Sequence, residues 1–300
     1  MFLLRERNLF ERDVLAGGRE KIKKRGGITV VLFIEKALAF VWKDFVNEIS
    51  YKFAFFMQFF GILITTVTFF YLSKLLGEVG ISYLKPYGGD YFSFVLIGVA
   101  LFTYLKVSID SLSSSIREGQ MLGTLEALLV TQTEIPAIIL SSSLYSFIFA
   151  SFKVAVYLLL GAFVFGVNMG NANLIGAFLI LLLTIISFSS FGIISASFVM
   201  VLKKGDPVSW LFTNISGIFG GLYYPVSVLP AWLQKVSYVL PVTYSLNGMR
   251  LALLKGSSFR TLMPDIVALM VFSIIMLPLS IFVFRCAVKK AKSDGTLTQY

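Results

Sequence analysis

Residues 223–241 read YYPVSVLPAWLQKVSYVLP. The stretch is apolar enough for a lipid bilayer, yet it carries Pro225, Pro230 and Pro241. Each proline removes a backbone N–H and disfavours helix in the residue before it, so a straight spanning helix does not hold this segment. Tyr223, Tyr224, Trp232 and Tyr238 are the residue types that gather at the headgroup level. Non-helical backbone at membrane depth has to be buried in protein or line a wet cavity. The stretch therefore reads as a re-entrant turn, with a helix lying flat on the leaflet as the plainer alternative.

The composition around it agrees. The chain has 300 residues, of which 57% are hydrophobic and 14% charged, and it holds 30 phenylalanines. Soluble domains run near 45–50% apolar and about 25% charged, so this is an integral membrane protein with no room for a soluble domain. It has no histidine, and Cys286 is the single cysteine. An intrachain disulfide, a Cys/His zinc site and histidine acid–base chemistry are thereby excluded. Residues 1–27 are charged throughout and lack the apolar core of a cleavable signal peptide.

A spanning helix needs roughly 20 apolar residues. Six segments qualify, at about 53–73, 91–109, 136–166, 174–202, 207–223 and 266–284, with Pro278 expected to kink the last. Placing both termini in the cytoplasm puts 18 Lys and Arg inside and 6 outside, with Lys106 and Lys153 within spans. That bias satisfies the positive-inside rule. The fold class expected is an all-α membrane protein: six transmembrane helices, an N-terminal amphipathic interfacial helix, and a re-entrant helical hairpin before the last span. The corresponding segments are a charged cytoplasmic N-terminus (1–27), the interfacial helix (28–50), the six-span unit (51–286), with its re-entrant segment at about 223–245, and a cytoplasmic tail (287–300). In 28–50, Ile34, Leu38, Val41, Phe45 and Ile49 recur at helical spacing opposite Lys36, Lys43 and Asn47. This pattern suits a helix in the inner interface or one packed on the bundle.

The loop after the second span, SIREGQMLGTLEALLVTQTEIP (115–136), is too polar to span and too patterned for a plain connector. Met121, Leu122, Leu125, Leu128 and Leu129 form an apolar stripe, and Arg117, Glu118, Gln120, Thr124 and Glu126 a polar side. The residues alone fit either a solvated connector or a helix docked in another protein's groove.

Arg117-Glu118 followed by Gly123-Thr124-Leu125-Glu126 resembles the R-E-x(n)-G-T-x-E pattern of ABC-2 type permeases, the membrane subunits of type V ABC exporters. Gly217 to Pro225 with Leu229-Pro230-Ala231-Trp232-Leu233 resembles that family's G-x(n)-P-x(n)-L-P-x-W-L stretch. Leu240-Pro241-Val242-Thr243-Tyr244 and Arg250 resemble its P-x-x-Y…R continuation. The resemblance covers nearly the whole chain. It implies that about 115–131 is the coupling helix set in the cleft of a separate ATPase subunit, through Arg117, Glu118, Gly119, Gly123, Thr124, Leu125 and Glu126. It assigns Pro225, Pro230, Trp232 and Pro241 to the re-entrant hairpin. It also implies a second permease copy, as a homodimer or heterodimer, with Phe55, Phe59, Phe212, Phe219 and Tyr223 as candidates to line the route. Taken singly, each of these aromatics is better explained as core or lipid-facing surface.

The chain has no G-x-x-x-x-G-K-[ST] phosphate loop, so no cofactor is expected on it; ATP and magnesium would sit on the partner ATPase. The expected setting is the cell (inner) membrane, multi-pass, in contact with lipid and not nucleic acid. Lys153 falls in the third span, where a charge costs about 2.5–3.5 kcal/mol and faces protein or water; it is a transport-path candidate, as a polar contact on the route or a structural ion pair, unless it snorkels to the interface. The resulting expectation is a permease without enzyme activity, moving a hydrophobic drug, antibiotic or lipid-like molecule out of the cytoplasm. Polysaccharide or glycoconjugate export is the alternative. A gradient-driven carrier would need midplane ionisable groups and inverted repeats, and an intramembrane enzyme a cluster of catalytic side chains; neither pattern is present.

Overall fold

The computed structural model describes residues 41–42, 45–46, 48–76, 81–121, 135–202 and 205–293. These are helical almost throughout, with no strand among them. The elements are α1 (Lys52–Leu76), α2 (Ile81–Leu84), α3 (Tyr91–Met121), α4 (Ile135–Leu159), α5 (Leu174–Leu202), α6 (Pro207–Phe219), α7 (Ala231–Val239), α8 (Pro241–Lys255) and α9 (Phe259–Ser293). Short 3-10 turns cover Lys85–Tyr87 and Val226–Val228, and α4 runs on as a π-helical turn over Leu160–Val164.

Among the described residues five helices are long and apolar enough to cross a membrane: α1, α3, α4 with its π turn, α5 and α9. The chain is a multi-pass membrane protein. The expected fifth span is where the structure differs. α6 has 13 residues, about 20 Å at 1.5 Å per residue, which falls short of a hydrocarbon core of about 30 Å. The second span is longer than expected. It does not stop at 109 but continues as one helix to Met121, so that Arg117 and Glu118 ride on its last turns. α9 passes through Pro264 and Pro278 without a break in assignment. Of the expected interfacial helix, residues 28–40 lie outside the described residues; those described between 41 and 50 are helical, with Trp42 and Phe45 exposed.

The prolines of the opening stretch start helices more than they break them. Pro225 caps the 3-10 turn, Pro230 caps α7, and Pro241 is the first residue of α8. The first helical turn is where a missing N–H costs nothing and a fixed φ helps. Pro207 opens α6 in the same way, behind the N-cap Asp206, whose side chain accepts from the Ser209 N–H at 2.9 Å.

α3 is the centre of the bundle. In its spanning window 72% of residues are buried, against 11% for α1. Ile97, Leu101, Leu105 and Ile109 of α3 meet Ile180 and Phe188 of α5, Leu246 and Met249 of α8, and Leu262 and Leu269 of α9. α3 and α5 approach closely because residue 192 is glycine: a Cβ there would lie 2.4 Å from the Ser108 carbonyl oxygen. Small residues at helix crossings are how membrane bundles gain contact when lipid is as apolar as leucine.

Candidate functional site

The two ends of α3 carry the polar chemistry of the molecule. At the Arg117 end, Leu112 and Ile116 of α3 pack with Ala196, Val199 and Met200 of α5 and with Ala291 of α9. Beyond that contact Arg117 and Glu118 are exposed and Gly119 half-buried. Gly123, Thr124, Leu125 and Glu126 lie outside the described residues. About two turns before Arg117, the Ser209 hydroxyl of α6 donates to the Asp110 carboxylate of α3, and the Ser195 hydroxyl of α5 donates to Asp206. Three helices are thus tied at this end by two carboxylates and two hydroxyls. The hydroxyls of Ser108 and Ser111 on α3, and of Thr213 and Ser216 on α6, are buried without a hydrogen-bond partner.

At the other end, Arg250 of α8 is 2% exposed and is held by carbonyls. Its Nε donates to Phe94 O at 3.0 Å, Nη1 to Gly221 O at 2.8 Å and Nη2 to Leu222 O at 2.8 Å. The guanidinium also lies 3.4 Å above the Phe94 ring. Gly221 and Leu222 follow the end of α6, where carbonyls have no helical donor, and Gly221 turns the chain with φ at +83°. The fork of Arg suits divergent acceptors in a way a single ammonium cannot. Space for it comes from Gly98: a Cβ there would meet Nη2 at 2.5 Å and the Leu222 carbonyl oxygen at 2.8 Å.

Beside this clamp, Tyr87 donates to Asn247 Oδ1 at 2.7 Å, and Asn247 Nδ2 donates to Asp265 Oδ2 at 2.8 Å. The relay joins the turn before α3 to α8 and α9. Burial pushes the Tyr87 phenol above its usual pKa, with Arg250 opposing the shift, so the hydroxyl is a standing donor at neutral pH. The family pattern flagged Arg250, but nothing in the spacing pointed to its carbonyl partners or to Tyr87, Asn247 and Asp265.

Between the two polar ends the packing is mainly apolar, with hydroxyl pairs such as Thr184 to Ser245 at 2.9 Å. Pro225 and Pro241 are buried, whereas Pro230 is exposed and Trp232 is 67% exposed. The candidate route residues do not form one surface. Phe55 and Phe59 of α1 cluster with Phe149 and Phe152 of α4, and Lys153 lies half-buried with its ammonium 4.6 Å above the Phe149 ring. Phe212 stacks on Phe191 at 3.9 Å, and Phe212 and Phe219 pack against the central core. Tyr223 stacks on Phe69 of α1 at 5.7 Å, joining the turn after α6 to the first helix. A cavity of about 140 Å³, lined by side chains such as Ala100, Leu101, Val154, Leu158 and Phe178, lies among α3, α4, α5 and α8.

The model of one family, described as ABC-2 type transporter, matches residues 35–254. The chain belongs to that family. No curated protein matches it. Membership makes this permease a transmembrane component of an ABC transporter, a transport component and not itself a catalytic domain, and implies an ABC ATPase as its partner. The match ends before α9 and includes both the Arg117 end of α3 and the Arg250 clamp.

Proposed function

We propose that this permease is one membrane half of an ATP-driven exporter, with the Arg117 end in the cytoplasm and residues 115–131 set against a separate ATPase. In this reading α6 and the turn behind it make the fifth of six crossings. The segment from Tyr223 to Tyr244 re-enters the outer leaflet, and a second copy, identical or similar, completes the pathway. ATP and magnesium are bound by the partner. The substrate is a hydrophobic drug, antibiotic or lipid-like molecule, a class supported by the apolar character of the spans and of the cavity among them. Export of a polysaccharide or glycoconjugate is the second reading, favoured by the exposed aromatics Trp232 and Tyr238 near the turn.

The observation that carries the proposal is the continuity of α3. One helix runs from the Phe94 carbonyl held by Arg250 to the Arg117–Glu118 pair. A helix of 31 residues is about 46 Å long and transmits a displacement as a rod. Movement imposed on its cytoplasmic end by closing ATPases reaches α6 through Asp110–Ser209, and reaches Gly221 and Leu222 through Arg250. Alternating access then amounts to rocking this clamped unit against the loosely packed α1.

The test is to purify the chain from its native membrane and identify what comes with it. An ATPase subunit is expected. Replacing Gly123 and Glu126 is expected to release that subunit or to abolish stimulation of its ATP hydrolysis. A preparation with no nucleotide-binding partner, or variants that retain both properties, would refute the assignment.

A further inference from the structure

The exposed face of α9 changes character once, and abruptly. Val267, Val271, Ile274, Pro278 and Phe282 recur at three- and four-residue steps and are exposed, as expected of a stripe facing lipid. The same stripe continues through Arg285, Lys289 and Lys290, also exposed. From Arg260 to Arg285 this face carries no charge. Those 25 steps rise about 38 Å, enough to cover the hydrocarbon core of about 30 Å. Lys289 and Lys290 lie about 6–8 Å beyond Arg285, the depth of the headgroup layer. The opposite side of the same turns is protein: Phe284, Val288 and Ala291 pack on Leu112 and Ile116 of α3 and on Ala196, Val199 and Met200 of α5. Ile116 immediately precedes Arg117.

We infer that Arg285, Lys289 and Lys290 form a docking surface for anionic phospholipid headgroups, and that this contact steadies the end of α3 on which the ATPase acts. Continuity with the lipid-facing stripe selects lipid over a water-soluble partner such as the ATPase, which would have to enter the bilayer edge to seat on this face. Charge complementarity selects anionic over zwitterionic headgroups, since each basic residue near such a surface gains about 1 kcal/mol, a factor of about five. The lipid contact stands by itself; only its effect on coupling rests on the exporter reading.

The full chain, reconstituted in nanodiscs of phosphatidylcholine with stepwise added phosphatidylglycerol and then released for native mass spectrometry, reads the preference directly. Wild type is expected to retain phosphatidylglycerol preferentially. The R285Q/K289Q/K290Q variant is expected to lose at least tenfold of that enrichment, and K289R/K290R to keep it. Unchanged enrichment in the triple variant overturns the proposal, as does loss of a copurifying ATPase with enrichment intact, which would assign the surface to that subunit. Cys286, the sole cysteine, lies exposed within the stripe and gives a second measurement on the unaltered sequence. A bimane attached there should be quenched more by a headgroup nitroxide lipid than by one labelled at mid-chain; the reverse order refutes the depth assigned. If enrichment follows the charges while ATP-driven turnover ignores phosphatidylglycerol, the coupling half of the inference fails and the lipid site remains.

Discussion

Replacing Arg250 by methionine keeps the length of the side chain and removes all three donors. The carbonyls of Gly221 and Leu222 would be stranded in a buried site, since their present partners sit 2.8 Å away on one guanidinium. A buried acceptor left unpaired costs about 1–3 kcal/mol. The stacking on Phe94 is worth up to about 2 kcal/mol when desolvated. Relief from burying a cation offsets part of the loss, leaving a net destabilisation of about 3 kcal/mol. For a domain of this size that is a fall in Tm of roughly 6–12 °C. Arg250→Lys keeps the charge but reaches one acceptor at a time, and should recover less than half of the loss. The assay is the melting of the purified permease in detergent, followed by loss of its monodisperse chromatographic peak. Gly98→Ala supplies the cross-check. Its Cβ would occupy the space of Nη2, so it should damage the same contact, and the double variant Gly98→Ala/Arg250→Met should be little worse than Arg250→Met alone. Additive losses, or an Arg250→Met protein that melts within about 2 °C of wild type, would refute the clamp.

The remaining predictions concern the other end and the middle of the bundle. Ser209→Ala or Asp110→Asn should leave the protein folded and hydrolysing ATP but lower substrate moved per ATP several-fold, measured in proteoliposomes containing the ATPase; an unchanged ratio removes Asp110–Ser209 from transmission. Gly192→Val should cost about 1–3 kcal/mol of stability through overpacking, because the atom it meets, the Ser108 carbonyl oxygen at 2.4 Å, is backbone and cannot swing aside; a protein as stable as wild type would show that α3 and α5 can separate freely. Lys153→Leu should preserve assembly and abolish export, whereas unchanged export would leave the contact with Phe149 as simple packing.

The five long helices were legible from hydropathy, because a bilayer accepts backbone only in helices long enough to cross it; the shortness of α6 and the buried α8 were not. Nor was it legible which helices sit inside. In a soluble protein an apolar stripe marks the core, but here lipid is as apolar as protein, so α1 and α3 look alike in composition while their buried shares are 11% and 72%. Glycine carries some of the missing information. Gly98 and Gly192 both lie or press on α3, where backbone or a guanidinium approaches to within 2.5 Å of where a Cβ would be. The ends of α3 were read unevenly for a related reason. Its extension to Met121 was hidden because polar residues from Asp110 onward resemble a loop, when in fact Leu112 and Ile116 keep one apolar face against α5 and α9.

The proline stretch shows how local chemistry can be right while its consequence is underestimated. Three prolines do forbid one straight helix, and the aromatics around them are exposed, as at Trp232 and Tyr238. What the local pattern does not contain is which side chains satisfy the carbonyls that the interruptions expose. The Ser237 carbonyl accepts from Thr243 at 2.6 Å, the Tyr238 carbonyl from Tyr244 at 2.9 Å, and Gly221 and Leu222 from Arg250. These donors come from α8, the helix that Pro241 begins, while Gln234 of α7 donates to the Leu229 carbonyl at 2.8 Å. The break after α6 and the buried helix behind it are therefore one device: α8 returns through the core and bonds carbonyls that the break exposes. Such a device moves as a unit, and since its deepest donor also grips Phe94 of α3, any force on α3 must act on the turn as well.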